Sequence, residues 1–330
     1  MNHMGKFFRP SSLRVFCTLL ALTLVLMLGA SHRMLHPAAA ADPGIPQTIP
    51  TLPVTAQSTV PPAAETASVP LAAAEQTIPA QRTQILLIGQ DRQEQETRAR
   101  SDALILLTLC PQEQQLILTS FLRDLYVEIP GCGSDRINAA YAYGGMELLR
   151  QTMEENFGLS VDGCIEVDFS RFSQIIDLLD GVSLELRQDE AEAINDVTGS
   201  HLTEGLQHLN GEETLAYARI RRLDPDGDFS RTERQRKVLS AVIRRCADAS
   251  PVRLLSVLLK ALPMVSTDLD RKEIVTLASG QLPALSEYTI VSQRIPADGA
   301  FSYRNIRNME VVVADMESAR KLLEDTVLAP

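Results

Sequence analysis

From Gln84 onward, apolar runs alternate with short clusters of Gly, Asp and Gln. QILLIG reads as a buried strand ending at Gly89. ALILLTL reads as a second strand and QLILTSF as a third, paired as a hairpin across the turn-like PQEQQ. MELLRQTMEENFG predicts a helix stopped by Gly158, and CIEVDF a further strand. Phe172, Ile175, Ile176 and Leu179 recur at i, i+3, i+4 and i+7, so RFSQIIDLLDG predicts an amphipathic helix ending at Gly181. VSLEL reads as a strand, NGEETLAYA as helical, and AVIRRCADA as the continuation of a helix that begins near Ser230. One or two helices follow Pro251. YTIVSQRIP and MEVVVAD are late strands, and MESARKLLEDTV is a closing helix. The alternation predicts a layered α/β domain, with helices covering a mixed sheet. No internal repeat and no second linker interrupt it, so residues 81–330 form one domain.

The pattern before residue 81 is different. MNHMGKFFRPSSLR carries Lys6, Arg9 and Arg14 without an acid, and Val15–Ala30 follows without a charge. That run is shorter than the roughly 20 residues that comfortably span a bilayer, but Leu13 and Ser31 lengthen it and Arg14 can snorkel. A cleaved signal peptide is the rival, because HPAAAADPG offers small-residue cleavage sites near Ala40. The reading here is a retained transmembrane anchor over residues 1–36. On either reading the rest of the chain is exported and the basic end stays inside. Residues 37–80 are rich in Pro, Ala and Thr and lack periodicity, which predicts a disordered spacer.

Composition narrows the function classes. Of the 330 residues, 45% are hydrophobic and 22% charged, ordinary for a folded domain. The formal net charge of -11 argues against nucleic acid, whose binders carry a basic domain or stripe. A local anion site is still allowed, because charges are screened over only about 8 Å at physiological salt. Cys110, Cys132, Cys164 and Cys246 lie in the exported part, where disulfides can form. Buried free thiols are the alternative. Among pairs, Cys132 with Cys164 is the first to look for, both being next to glycines in expected loops.

Three segments carry candidate chemistry. GQDRQEQETRARSDA places Asp91 just beyond one strand and Asp102 just before the next. If those strands are neighbours, both carboxylates emerge at one end of the sheet, where they could hold Mg²⁺, a hard ion that prefers oxygen and works with phosphates. Turn-forming and capping aspartates are the alternative. SFLRDLYVEIPG closes the third strand with Arg123 and Asp124, a pair that elsewhere is most often a surface ion pair. The third segment, YARIRRLDPDGDFSRTERQRK, holds Arg219, Arg221, Arg222, Arg231, Arg234 and Arg236. Ser230 and Glu233 there form a Ser-x-x-Glu capping box that predicts a helix start. Arg231, Gln235, Val238 and Val242 then share one face. If ARIR is extended, Arg219 and Arg221 point one way and Arg222 the other. Guanidinium forks bind oxyanions bidentately without losing their proton, so several of them with a carboxylate-held metal suit a diphosphate. GxxxxGK[ST] and G-x-S-x-G are absent, and all five histidines lie outside these segments.

Taken in order, ILLIGQD…RARSDALILLTL, SFLRDLYVEIPG, DRINAAYAYGG, VDFSRFSQIIDLLDGV, GLQHLNGEETLAYARIR and GDFSRTERQRKVL resemble the LytR-CpsA-Psr family. The resemblance covers residues 83–250 closely. It implies a three-layer α/β/α fold and a membrane-bound phosphotransferase of the bacterial envelope. Such enzymes move a glycopolymer, a teichoic acid or capsular or related polysaccharide, from a polyprenyl diphosphate carrier to peptidoglycan. By motif position it implies Asp91 and Asp102 as Mg²⁺ ligands (Mn²⁺ being an alternative). Arg123, Arg219, Arg221, Arg231 and Gln235 would form the diphosphate cradle, supported by Arg100, Asp124 and Asp228. It also implies an apolar groove for the lipid tail, whose lining the sequence does not assign. One departure is Leu122, where the family usually has proline before the arginine. A non-catalytic binder of polyprenyl-linked glycan, or a diphosphate hydrolase using water, are the alternatives.

Overall fold

The computed structural model describes residues 82–90, 100–224, 227–250, 253, 256–257, 260–269 and 288–328. The expected anchor, the spacer and Asp91 lie outside the described residues. Among the described residues, no helix is long and apolar enough to cross a membrane.

The strands are β1 (Thr83–Gln90), β2 (Ser101–Cys110), β3 (Gln115–Phe121), β4 (Tyr126–Ile129), β5 (Gly133–Arg136), β6 (Gly163–Asp168), β7 (Val182–Leu186), β8 (Gly205–Leu209), β9 (Val265–Thr267), β10 (Thr289–Ile295), β11 (Phe301–Ile306) and β12 (Met309–Ala314). The described helices are α1 (Ile137–Phe157), α2 (Phe169–Leu178), α3 (Gln188–Thr198), α4 (Gly211–Arg219), α5 (Asp228–Asp248) and α6 (Met316–Thr326). The central sheet runs β10-β3-β2-β1-β6-β9. β1 is parallel to β6 and β3 to β10, while β2 is antiparallel to both β1 and β3. The sheet is therefore mixed, as the alternating pattern predicted, and QLILTSF pairs with β2 in the expected hairpin.

Strand residues point alternately to the two faces. Leu86, Ile88, Leu104, Leu106 and Phe121 face one core with Leu149, Met153 and Phe157 of α1 and Leu323 of α6. Ile105, Leu107, Leu116 and Leu118 face the other side, towards Leu239 and Ile243 of α5. Three antiparallel ribbons extend this frame, one of them β4–β5. β7 and β8 share a core with α3, α4 and α5. β11 and β12 form a hairpin that docks beyond β3 through a parallel bridge from Val312 to Leu125.

Several local expectations are corrected. α1 begins nine residues before Met146, and it is broken at Gly145, which takes φ 69°. α2 stops at Leu178 rather than near Gly181, because Asp180 and Gly181 both take positive φ. ARIR is not extended throughout: Ala218 and Arg219 end α4, and Ile220 and Arg221 follow outside the helix. The Ser230–Glu233 capping box does not form. α5 starts two residues earlier, at Asp228 after Gly227, and Glu233 pairs with Lys237 at 2.8 Å instead. An acid at Asp228 supplies the negative charge that a helix N-terminus favours. Cys132 and Cys164 are not bonded. Cys164 is sealed in β6, whereas Cys132 is exposed in the β4–β5 turn.

α4 lies very close to α2, and a glycine makes this possible. Its first residue, Gly211, donates its N–H to Asp177 Oδ1 at 2.7 Å, and a Cβ there would come within 2.1 Å of the Ser173 carbonyl oxygen. We expect Gly211→Ala to cost about 1–3 kcal/mol, a fall of several degrees in the thermal midpoint. An unchanged midpoint would show that α4 can back away from α2.

Candidate active site

The carboxyl ends of β1, β3, β6 and β10 and the amino end of β2 lie together. Gln90 is opposite both Ser101 and Asp168, and Phe121 is opposite Ile295. Asp102 is the second residue of β2 rather than a loop residue preceding it. Since β1 and β2 are neighbours, Asp102 emerges beside the end of β1, after which Asp91 follows in sequence.

Arg123, just beyond β3, is the centre of the cluster. Its Nη1 donates to Asp102 Oδ1. Its Nε lies 3.4 Å from Asp228 Oδ2 and 3.6 Å from Asp124 Oδ2. Asp228 in turn holds Arg221 Nη2 at 2.6 Å and Arg231 Nη2 at 3.6 Å through Oδ1. Arg231 also donates to the Asp102 carbonyl at 3.3 Å, which ties α5 to β2. Arg123, Arg221 and Arg231, drawn from two loops and a helix, thus converge on one carboxylate. The Leu122 departure leaves this arrangement intact: Leu122 is buried, and its N–H donates to the Ile295 carbonyl at 3.1 Å.

Burial opposes ionisation of Asp228, yet Arg231, Arg123 and Arg221 together hold its carboxyl below the usual range. Asp124 goes the other way. Burial raises it, and neighbouring Asp228 adds to that, against the pull of Arg123 and Arg136. Burial likewise lowers the Arg231 pKa, with Arg123 and Arg221 adding like-charge repulsion against the pull of Asp228. Such cationic crowding favours an incoming anion.

The other candidates divide. Arg219 lies 5.2 Å from the Phe169 ring centroid at the start of α2, two residues before Arg221. Gln235 is one turn beyond Arg231 on α5, and its buried Oε1 makes no hydrogen bond among the described residues. Arg100 is exposed and lies close enough to Asp135 to help lower that carboxyl, where burial is opposed first by a hydrogen bond from Tyr143. Arg234 belongs elsewhere. Only 3% exposed, it binds Glu190 at 2.8 Å and also Asp224, which Arg187 shares at 3.0 Å. Arg236, also buried, donates to Ser292 Oγ at 2.6 Å. The dense arginines of the sequence therefore do not all serve the site, and the Asp224 cluster is structural.

Two participants were not foreseen. Arg136, at the end of β5, binds Asp124 at 3.1 Å and donates to the Glu310 carbonyl. Phe169 lies under Arg219. Nothing in local spacing marks Arg136. Phe169 could have been suspected as an aromatic directly after a strand that ends at the site.

Beside this cluster a cavity of about 250 Å³ opens between the sheet and α2, α4 and α5. Its walls include Leu87, Ile105, Phe172, Val238 and Val242, and among the described residues its polar side chains are Arg219, Gln235 and the Cys246 thiol. Gly89 and Ala103 face each other across β1 and β2 on this wall, and their small size leaves the room. The space is thus apolar, with a charged end.

Among the described residues, no group of three or more His, Cys, Asp or Glu could hold a metal unaided. Asp102 can nonetheless serve Mg²⁺, which usually takes one or two carboxylates together with substrate phosphates. Its side chain is 23% exposed, and Oδ1 alone is engaged by Arg123 among the described contacts.

Fold and site define an α/β protein made to receive an amphiphile with an anionic head. The chain belongs to the LytR_cpsA_psr family, whose pattern matches residues 56–326. It is 36% identical over 221 residues to the polyisoprenyl-teichoic acid–peptidoglycan teichoic acid transferase TagU of Bacillus cereus, covering 65% of this chain and 69% of that protein. TagU of Oceanobacillus iheyensis is 36% identical over 212 residues, covering 62% and 64%. The crystal structure of Bacillus subtilis TagT superposes with a TM-score of 0.60 at 27% identity, covering 76% of this chain and 94% of TagT. TagT with bound octaprenyl pyrophosphate lipid superposes at 0.56 and 28% identity, covering 74% and 89%.

Asp228 and Asp124 should respond differently to neutralisation. Asp228→Asn leaves three guanidiniums facing one another and should cost about 1–3 kcal/mol at pH 7. Because its folded pKa is depressed, that stability exists above the ordinary carboxylate value of about 3.9 and is lost as pH falls through the lower folded value. The melting gap between wild type and Asp228→Asn should therefore close as the pH is lowered. Asp124→Asn should be milder at neutral pH. A gap independent of pH would contradict the ion-pair account.

Proposed function

We propose that this protein is an envelope phosphotransferase that moves a glycopolymer from a polyprenyl diphosphate carrier to peptidoglycan. The observation that carries the reading is the apolar cavity that ends at Arg219 and Gln235, beside the Arg123–Asp228 cluster. A long apolar tail fills such a space, and its diphosphate reaches the guanidiniums at the mouth. The relatives support this reading, TagU as a teichoic acid transferase and TagT as a binder of octaprenyl pyrophosphate.

In the reaction, an acceptor hydroxyl attacks the sugar-linked phosphorus. A new P–O bond forms there, the bond to the bridging oxygen breaks, and polyprenyl phosphate departs. Asp91 or Asp102 takes the hydroxyl proton. Arg219, Arg221, Arg123 and Arg231 donate to the diphosphate and neutralise charge that grows on the leaving phosphate. Gln235 turns its amide towards the same head group. Asp102 and Asp91 would hold Mg²⁺, or Mn²⁺ in its place, which would supply further charge neutralisation when bound. Asp124 and Asp228 fix the arginine forks, and Arg100 guides the anion from the rim. The basic N-terminus and the apolar run Val15–Ala30 support a single anchor in residues 1–36, a spacer over 37–80 and an extracellular catalytic domain.

The test incubates the full chain with a short-chain polyprenyl diphosphate glycan, Mg²⁺ and peptidoglycan fragments, and reads the products by mass spectrometry. Glycan joined to peptidoglycan through a phosphate is expected. Free phosphorylated glycan alone would instead mean hydrolysis. Arg219→Ala and Arg221→Ala should each cut turnover about a hundredfold or more with little change in melting, since neither is buried in a core. Near-wild-type transfer by both would remove the arginines from the mechanism.

A further inference from the structure

Arg236 is a buried cation whose charge no carboxylate meets among the described ion pairs. It lies on α5, five residues beyond Arg231, and is 5% exposed. Its Nε donates to Ser292 Oγ at 2.6 Å, while Nη1 is buried and has no partner among the described residues. Burial pushes the Arg236 guanidinium down to about 10, with Glu233 opposing that shift and Arg294 adding to it. Glu233 itself is held by Lys237 at 2.8 Å. A buried charge without a counterion weighs heavily against folding.

The groups around Arg236 share its condition. Ser292 and Arg294 alternate onto one face of β10, and β3 places Leu118 and Ser120 opposite them. α5 covers that face, since Leu118 packs with Leu239 and Ile243. Ser120 is almost fully buried, and its Oγ has no hydrogen bond among the described residues. Arg294 lies over the Phe229 ring at 4.4 Å and donates through Nη2 to Asp298, but its Nε is buried and unpartnered among the described residues. Three elements thus turn unmet polar groups, two of them on cations, towards one space. β10 is the outermost strand of its sheet and Ser292 is exposed, so the group lies beside solvent.

We infer that an oxyanion of the phosphate class binds between α5 and the β3–β10 edge, held by Arg236 and Arg294 together with the Ser120 and Ser292 hydroxyls. The donors approach from a helix and two strands. A tetrahedral phosphate turns oxygens in several directions, whereas a planar carboxylate is satisfied by a single guanidinium fork. The bound anion also separates two guanidiniums that repel each other. This site is not the diphosphate cradle. Arg231 turns to Asp102 and Asp228, and the cavity is lined from α5 by Gln235, Val238 and Val242, whereas Arg236 turns to β10. Free orthophosphate and a phosphodiester within the donor glycan both have the required chemistry, and only the second source rests on the transfer reading proposed above.

The test melts the full chain carrying Arg219→Ala and Arg221→Ala, so that the cradle answers less, with and without inorganic phosphate. Phosphate should raise the midpoint by several degrees. Adding Arg236→Met should abolish that rise, and without phosphate this variant should melt no lower than its parent, because it removes an uncompensated buried charge. Ser120→Ala and Arg294→Gln, which keep Arg236, should each weaken phosphate binding about threefold to tenfold by calorimetry. A lower midpoint in Arg236→Met with the phosphate rise intact would overturn the inference, by making the Arg236–Ser292 contact purely structural. Unchanged phosphate affinity in Ser120→Ala and Arg294→Gln would overturn it as well, as would an equal rise with sodium chloride at matched ionic strength. Transfer assays on chains with Arg219 and Arg221 intact then separate the sources. A KM raised by Arg236→Met only for donors whose glycan contains a phosphodiester assigns the polymer, and an unchanged KM assigns free phosphate. Phosphate binding without any transfer by wild type leaves this site standing and removes the transfer reading alone.

Discussion

Guanidiniums repel one another, and burial makes that repulsion worse. Arg123, Arg221 and Arg231 can crowd one end of the sheet because Asp228 meets all three, with Asp102 and Asp124 also facing Arg123. The rest of the structure answers to that constraint. α5 begins at Asp228, so the carboxylate sits in the first turn of a helix, where backbone N–H groups favour negative charge. The same helix then presents Arg231 to Asp102, Gln235 to the cavity and Val238 to its wall. One element thus carries the counterion, a cation, an amide and the apolar lining in successive turns.

The layered fold places those turns. Because β2 runs against β1 and β3, its amino end meets their carboxyl ends, and Asp102 comes within reach of Arg123. Gly211 lets α4 close on α2, which delivers Arg219 over Phe169 at the cavity mouth. On the opposite face, α1 and the β11–β12 hairpin hold the Arg123–Asp124 turn through backbone bonds from Ile137 to Leu125 and from Val312 to Asp124. The site is a seam between two cores: one side holds an apolar void and the other the packed core of α1 and α6.

Much of this was legible in the chain because period and punctuation are local. Strands such as QLILTSF are apolar throughout and bounded by turn residues, and the antiparallel β2–β3 pair followed from PQEQQ between them. The arginines and acids of the site were recognisable as a set from motif order. Their allotment was not, since Arg234 and Arg231 are three residues apart and serve different clusters. Side-chain partners depend on tertiary approach, and that also hid Arg136. The cavity was illegible for a different reason. Its walls carry the same Leu, Ile and Val as a filled core, and only the spacing of α2, α4 and α5 from the sheet distinguishes a void. The capping box failed because Ser-x-x-Glu is a local preference, and the acid at Asp228 found stronger company two residues earlier.

The central claim is that one amphiphile bridges the cavity and the arginine cluster. A crystal structure with a short-chain polyprenyl diphosphate tests it most directly. The account predicts the tail between the sheet and α5, along Val238 and Val242, with diphosphate oxygens within hydrogen-bonding distance of Arg219, Arg221 and Arg231. A lipid bound elsewhere, or a head group pointing away from these arginines, would contradict it.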